Sequence, residues 1–226
     1  MRVSLKSRRG ETLVEVLVSL MLLVVGSLGA VRLFGMAAIN NELTKERVIA
    51  TNLAREGLEA VRSVRDTNWL RFAGERRKCW NNIEAAQCLD DNGDSVPNQP
   101  ITHKQQYRAE FEANFRWKLV PVGTDEVFVD RLNLQNGING KDADYRLKLD
   151  ANNLYSHTGA TDTFYFREIY TEYLNDTATA ESIASPQESS NVLRVTSRVE
   201  WYDRGKFSDV TLSTIITDHL SRENHN

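Results

Sequence analysis

Apolar residues run almost without interruption over residues 13–39: no charged side chain lies between Glu15 and Arg32, and 33–39 stays apolar apart from Gly35. At about 1.5 Å per residue in a helix, such a stretch reaches across roughly 30 Å of hydrocarbon. Beyond Asn40 the pattern becomes one-sided. Ala50, Leu53, Ala54, Leu58, Val61 and Val64 recur at steps of three and four, with Arg55, Glu56, Glu59, Arg62 and Arg65 on the rest of the wheel. No proline occurs before Pro97. The pattern therefore predicts one long helix from about Thr12, apolar all round at first and amphipathic later, with a stop at Asp66, Thr67 and Asn68.

After a loop-like stretch at 79–100 the period falls to two. Tyr107, Ala109, Phe111, Ala113, Phe115, Trp117 and Leu119 alternate with polar neighbours, which predicts a strand long enough to need a bulge. Tyr145, Leu147 and Leu149 alternate again, as do Phe164 and Phe166. Leu193, Val195, Ser197, Val199 and Trp201 are followed by a turn at 203–206, and Val210, Leu212, Thr214 and Ile216 return, which reads as a hairpin. Residues 175–191, rich in Asn, Asp, Thr, Ser and Glu, read as an exposed loop. The strands at about 105–217 make an antiparallel sheet with one face to cover, and the amphipathic helix at 45–66 is the available cover. The fold class predicted is α+β, a long N-terminal helix packed on an antiparallel sheet head.

With 226 residues, 41% of them hydrophobic, the chain has room for one packed domain and an appendage. Its net charge is −3, yet Arg2, Lys6, Arg8 and Arg9 crowd the first ten residues, so the body is more acidic than the whole. An acidic body argues against nucleic acid as the main partner. Basic residues before the apolar stretch and a long polar body after it place that body outside the cytoplasm, on a single-pass anchor in the cytoplasmic (inner) membrane.

Cys79 and Cys88 fall in the exported part and are spaced to close a small loop, which predicts a disulfide; two reduced, packed thiols are the alternative. Asp90, Asn92 and Asp94 stand at alternate positions, as at the opening of a calcium loop. Ser95 and Ile101 occupy the places where such a loop has its glycine and its final glutamate, and a polar turn on Asn92 and Gly93 accounts for the same residues. His103, His157, His219 and His225 are scattered and match no nucleophile, metal-protease or phosphate-loop spacing. No enzyme is expected, and no cofactor beyond that calcium ion. Trp117, Tyr165, Phe166 and Trp201 read as core or sheet-face packing rather than a base-stacking platform. Arg62, Arg65, Arg71, Arg76, Arg77 and Lys78 read as a solvated helix face, with inter-subunit pairing or DNA contact as the other reading.

Glu15 sets the remaining question, since a carboxylate within a bilayer costs on the order of 2.5 kcal/mol by insertion scales. Arg8, Arg9 and Gly10, followed by Glu11, Thr12, Leu13, Val14 and Glu15 and then the apolar run, resemble the class III signal of type IV pilins and pseudopilins. The resemblance implies cleavage after Gly10 by a prepilin peptidase and methylation of the new amino group on Glu11, where the family most often has phenylalanine or methionine. It also implies that Glu15, as the fifth mature residue, serves assembly. Residues 52–70 are similar to the lower helix of minor pilins, and 164–169 and 193–217 to the closing strands of the type IV pilus modification group.

The same resemblance implies a leader at 1–10, a membrane and filament-core helix at 11–40 and an extracytoplasmic head at 41–226. The expected function is that of a minor pilin or pseudopilin subunit of a cell-surface filament. Its expected partners are other pilin subunits, the prepilin peptidase, the assembly platform and the membrane. Gly26 and Gly29 are where the stem would loosen on leaving the lipid. Three other readings are a plain signal anchor, a secretory peptide cut near Met36, Ala37 and Ala38, and a tethered adhesin or binding module. For the last, DNA or a host surface stays open as a partner.

Overall fold

With no proline in it, α1 (Glu11–Arg71) runs unbroken. The computed structural model describes residues 11–72, 79–83, 99–112, 116–123, 144–174, 192–203 and 206–218. Gly10, Cys88, Asp90, Asn92, Asp94, Arg76, Arg77, Lys78, His219, His225, the loop at 175–191 and the side chain of Glu11 lie outside that description. The chain divides into two compact units, Met1–Val48 and Ile49–Asn226.

In the first unit the helix shows its apolar side chains to the surroundings; Leu13, Leu33 and Phe34 are 64%, 69% and 76% exposed. Ser27 donates its hydroxyl back to the Val24 carbonyl at 2.9 Å, so this polar side chain leaves no donor unmet among apolar neighbours.

In the second unit the helix runs past the stop expected at 66–68. Asn68 is fully buried and its Nδ2 donates to the carbonyls of Trp80 and Asn82, while the buried Trp69 donates its indole N–H to Asp218 Oδ1 at 3.2 Å. Those partners outweigh the local preference of Asp, Thr and Asn for a helix end.

Among the described residues the sheet holds seven antiparallel strands: β1 (Gln105–Phe111), β2 (Trp117–Gly123), β3 (Arg146–Leu149), β4 (Tyr155–Ser156), β5 (Thr161–Tyr173), β6 (Val192–Asp203) and β7 (Lys206–Thr217). β5 is central. β6 pairs along one side of it over 165–173, with β7 beyond. On its other side the sheet forks: β1 lies against 169–171 with β2 outside it, and β3 lies against 161–166 with β4 outside that. The β6–β7 hairpin forms as predicted, in unbroken register from Val192↔Thr217 to Asp203↔Lys206.

The single long strand expected over 107–119 is instead a hairpin. Tyr107 pairs with Pro121, Ala109 with Leu119 and Phe111 with Trp117, and the Glu112 N–H donates to the Arg116 carbonyl across the turn. Odd residues oppose odd residues, so apolar alternation passes through the reversal unchanged and cannot report it. A bulge does occur, between Gln106 and Tyr107. Pro121 is tolerated because β2 ends the sheet's path.

On β5 the core takes Tyr165, Ile169 and Tyr173, whereas Phe164 is 44% exposed. The Phe164 and Phe166 alternation thus marks a strand correctly but selects the face turned away from the core. One core cluster joins Leu58, Val61, Val64 and Trp69 of the helix to Tyr107, Ala109, Leu119, Ile169 and Val195. The other joins Ala50, Leu53 and Ala54 to Leu147, Tyr165, Val199 and Trp201. Each large side chain so buried contributes roughly 1.5–3 kcal/mol.

At Gly57 the helix lies close against the sheet. A Cβ there would overlap Ser197 Oγ and lie 3.2 Å from Ser197 Cβ and 3.3 Å from Arg167 Cδ. Gly57→Val is expected to lower unfolding free energy by about 2 kcal/mol or more, read from denaturant midpoints at unchanged slope. A variant as stable as the parent would show that the spacing is not set here.

Candidate functional site

The stem carries the first group of candidate residues. Glu15 is exposed on α1, and with no charge before Arg32 the nearest cation along the described helix lies about 25 Å away. At roughly 100° per residue Glu15, Gly26 and Gly29 fall on one helical face. A Cβ on either glycine would meet no atom within 4 Å, so nothing in the described chain requires glycine there. One helix, Leu13–Arg71, is long and apolar enough to cross a membrane by length and composition.

Cys79, of the predicted disulfide, is fully buried and disulfide-bonded; its expected partner Cys88 lies outside the described residues. Around it, Ile83 donates its N–H to Gln99 O, Ile101 to Asn81 O, and Leu119 to Ile83 O, which ties the cysteine-bearing segment to β2. The three calcium-loop residues also lie outside the described region. Among the described residues, no group of three His, Cys, Asp or Glu side chains is placed to hold a metal.

Of the predicted histidines, His103 accepts the Tyr173 N–H on Nδ1 at 3.0 Å, which leaves the proton on Nε2. His157 is buried. That burial, reinforced by the nearby positive charges of Arg167 and Arg108, pushes its imidazole down to about 3, so it stays neutral over the physiological range. Of the basic run, Arg62 is engaged by Glu59 and Thr214, and Arg65 pairs with Asp66 and stacks 4.4 Å over the Trp69 ring.

Reading by period missed the buried charges of the sheet. Arg167 is 1% exposed, the largest fully buried side chain among the described residues, and stands on β5 where the sheet forks. Its Nη1 meets Glu56 Oε1 at 2.8 Å and Leu53 O at 3.3 Å, and its Nη2 reaches Ala109 O at 3.5 Å. A signal was present: Arg167 is the one charged residue among Tyr165, Ile169, Thr171 and Tyr173 at the same strand parity. On the opposite face Glu168, Arg198 and Glu200 are buried together.

Residues 5–31 match the family model of the prokaryotic N-terminal methylation motif. No curated protein and no solved structure matches the chain. The matched segment is the prepilin signal of type IV pilin-like proteins, and it runs directly into the exposed apolar part of α1.

Proposed function

We propose that this chain is a structural minor pilin or pseudopilin subunit, trimmed after Gly10 and assembled through its stem into a type IV pilus-like filament at the cell surface. The observation that carries this reading is the prepilin signal continuing into an uncovered apolar helix in which Glu15 has no cation before Arg32. Lipid covers such a helix in the membrane, and neighbouring stems take the place of lipid in a filament. Cleavage would create an amino group on Glu11, and a neighbour's Glu15 would meet that cation where water is excluded and the attraction is large. A lone buried carboxylate is penalised, whereas two opposite charges in register offset much of the cost. The carboxylate then serves as a docking signal. Its work is packing and electrostatics, without catalysis.

Mass spectrometry of the mature protein tests the first step. The expected N-terminus is Glu11 carrying one methyl group; a first residue other than Glu11 would reject the prepilin reading. Shearing then separates this function from that of a tethered binding module: a subunit leaves with the filaments, and a tether stays with the membranes.

A further inference from the structure

β5 and β6 bring Glu168 opposite Arg198, and β6 and β7 bring Glu200 opposite Asp209, on the sheet face turned away from the helix. Arg198 is the cation at the centre of this group: its Nη2 pairs with Glu200 Oε1, and its Nε lies 3.3 Å from Asp209 Oδ2. Glu168, only 4% exposed, accepts a hydrogen bond from Gln106 and has no hydrogen-bond partner at Oε1. Gln106 is itself buried and held by the Tyr145 hydroxyl at 2.6 Å. The neighbouring charges are already committed, Arg194 to Glu172, Arg108 to Glu110, and Arg146 to Asp162. Among the described residues, Glu200 and Asp209 pair with Arg198, whereas Glu168, the most buried of the three carboxylates, feels that charge without an ion pair of its own. A second ionised carboxylate at such a site is costly, and the proton goes to the group with fewest partners.

We propose that this cluster is a proton-operated switch in the head: Glu168 is held as a neutral acid in acidic surroundings and loses its proton as they become neutral, loosening the β5–β6 pairing it sits on. Burial first, then the Glu200 charge, raise the Glu168 carboxyl to about 7, with Arg198 opposing. A group whose folded value is raised stabilises the fold fully below its ordinary value near 4.5 and loses that contribution as pH rises through about 7. His157, depressed to about 3, acts in the opposite sense, its contribution being full above 6.5 and lost as pH falls. The two offset each other between 4.5 and 6.5, so the switch is read from differences between variant and parent. The switch rests on the proposed topology, which places the head outside the cytoplasm.

The test is thermal unfolding of the full chain in detergent micelles, parent against Glu168→Gln, at about pH 4.5 and about pH 8, on either side of the Glu168 transition. Gln mimics the neutral acid, so the variant is expected to raise Tm at the higher pH by about 4 °C or more and to change it little at the lower. An equal change at both pH values would overturn the proposal. Should Glu168→Gln fail to fold, Glu200→Gln carries the same reading: it frees Arg198 for Glu168, so its Tm relative to the parent must be higher at the higher pH than at the lower. Absence of that difference overturns the switch.

Discussion

Glu15→Ala is expected to leave the precursor in the membrane at its usual level while cutting its recovery in sheared filaments by at least about tenfold. In lipid the substitution removes a group that costs on the order of 2.5 kcal/mol, so the anchored precursor gains if anything. In a filament it strands the Glu11 amine of the adjoining stem. An opposite pair at about 4 Å is worth roughly 4 kcal/mol at an effective dielectric of 20, and tenfold corresponds to only about 1.4 kcal/mol. Loss of recovery is therefore expected even if much of the pair energy is offset by desolvation. The check is immunoblotting of membrane and sheared fractions from cells expressing each form. Normal incorporation would mean that the carboxylate is not what docks one stem against the next.

The second large effect is an asymmetry at the fork of the sheet. Glu56→Ala is expected to destabilise the head by about 2–3 kcal/mol, because it leaves the Arg167 guanidinium buried with two weak carbonyl contacts at 3.3 and 3.5 Å. Arg167→Met should cost less, since Glu56 is 38% exposed and water can take over its solvation, while the thioether chain fills the space of the arginine stem. The double variant should lie near Arg167→Met rather than at the sum, because the two residues share one interaction. Denaturant unfolding of the four proteins forms the cycle. If Arg167→Met proves the more damaging substitution, the arginine matters for its packing and not for its charge.

Both expectations rest on groups whose legibility in the sequence differed sharply. Glu15 stood out because a single charge interrupts a long apolar run, and the residues around it form a local motif. Arg167 stood out less, since its strand parity was visible only once β5 was known to bury Tyr165 and Ile169 rather than Phe164. The hairpin at 105–123 was hidden for a related reason. An alternation of two survives a reversal whenever paired residues have the same parity, as Ala109 and Leu119 do. The helix end was misplaced because Asn68 and Trp69 answer to Trp80, Asn82 and Asp218, the last of them 149 positions from Trp69.

Local patterning along the chain reveals the long helix, its apolar first half with Glu15, the prepilin signal before it, the strand character of the later segments and the final hairpin. Helix period, strand period, turn residues and a short motif are all patterns among neighbouring positions, which the chain displays directly. Folding settled what that patterning leaves open: that the chain reverses between 112 and 116, which face of β5 enters the core, and how the sheet forks around Arg167. It likewise set Glu168 opposite Arg198, the guanidinium that pairs with Glu200 and Asp209. Those outcomes depend on partners far apart in the chain, 111 positions for Arg167 and Glu56, and a buried charge takes its meaning from whichever groups the fold brings beside it.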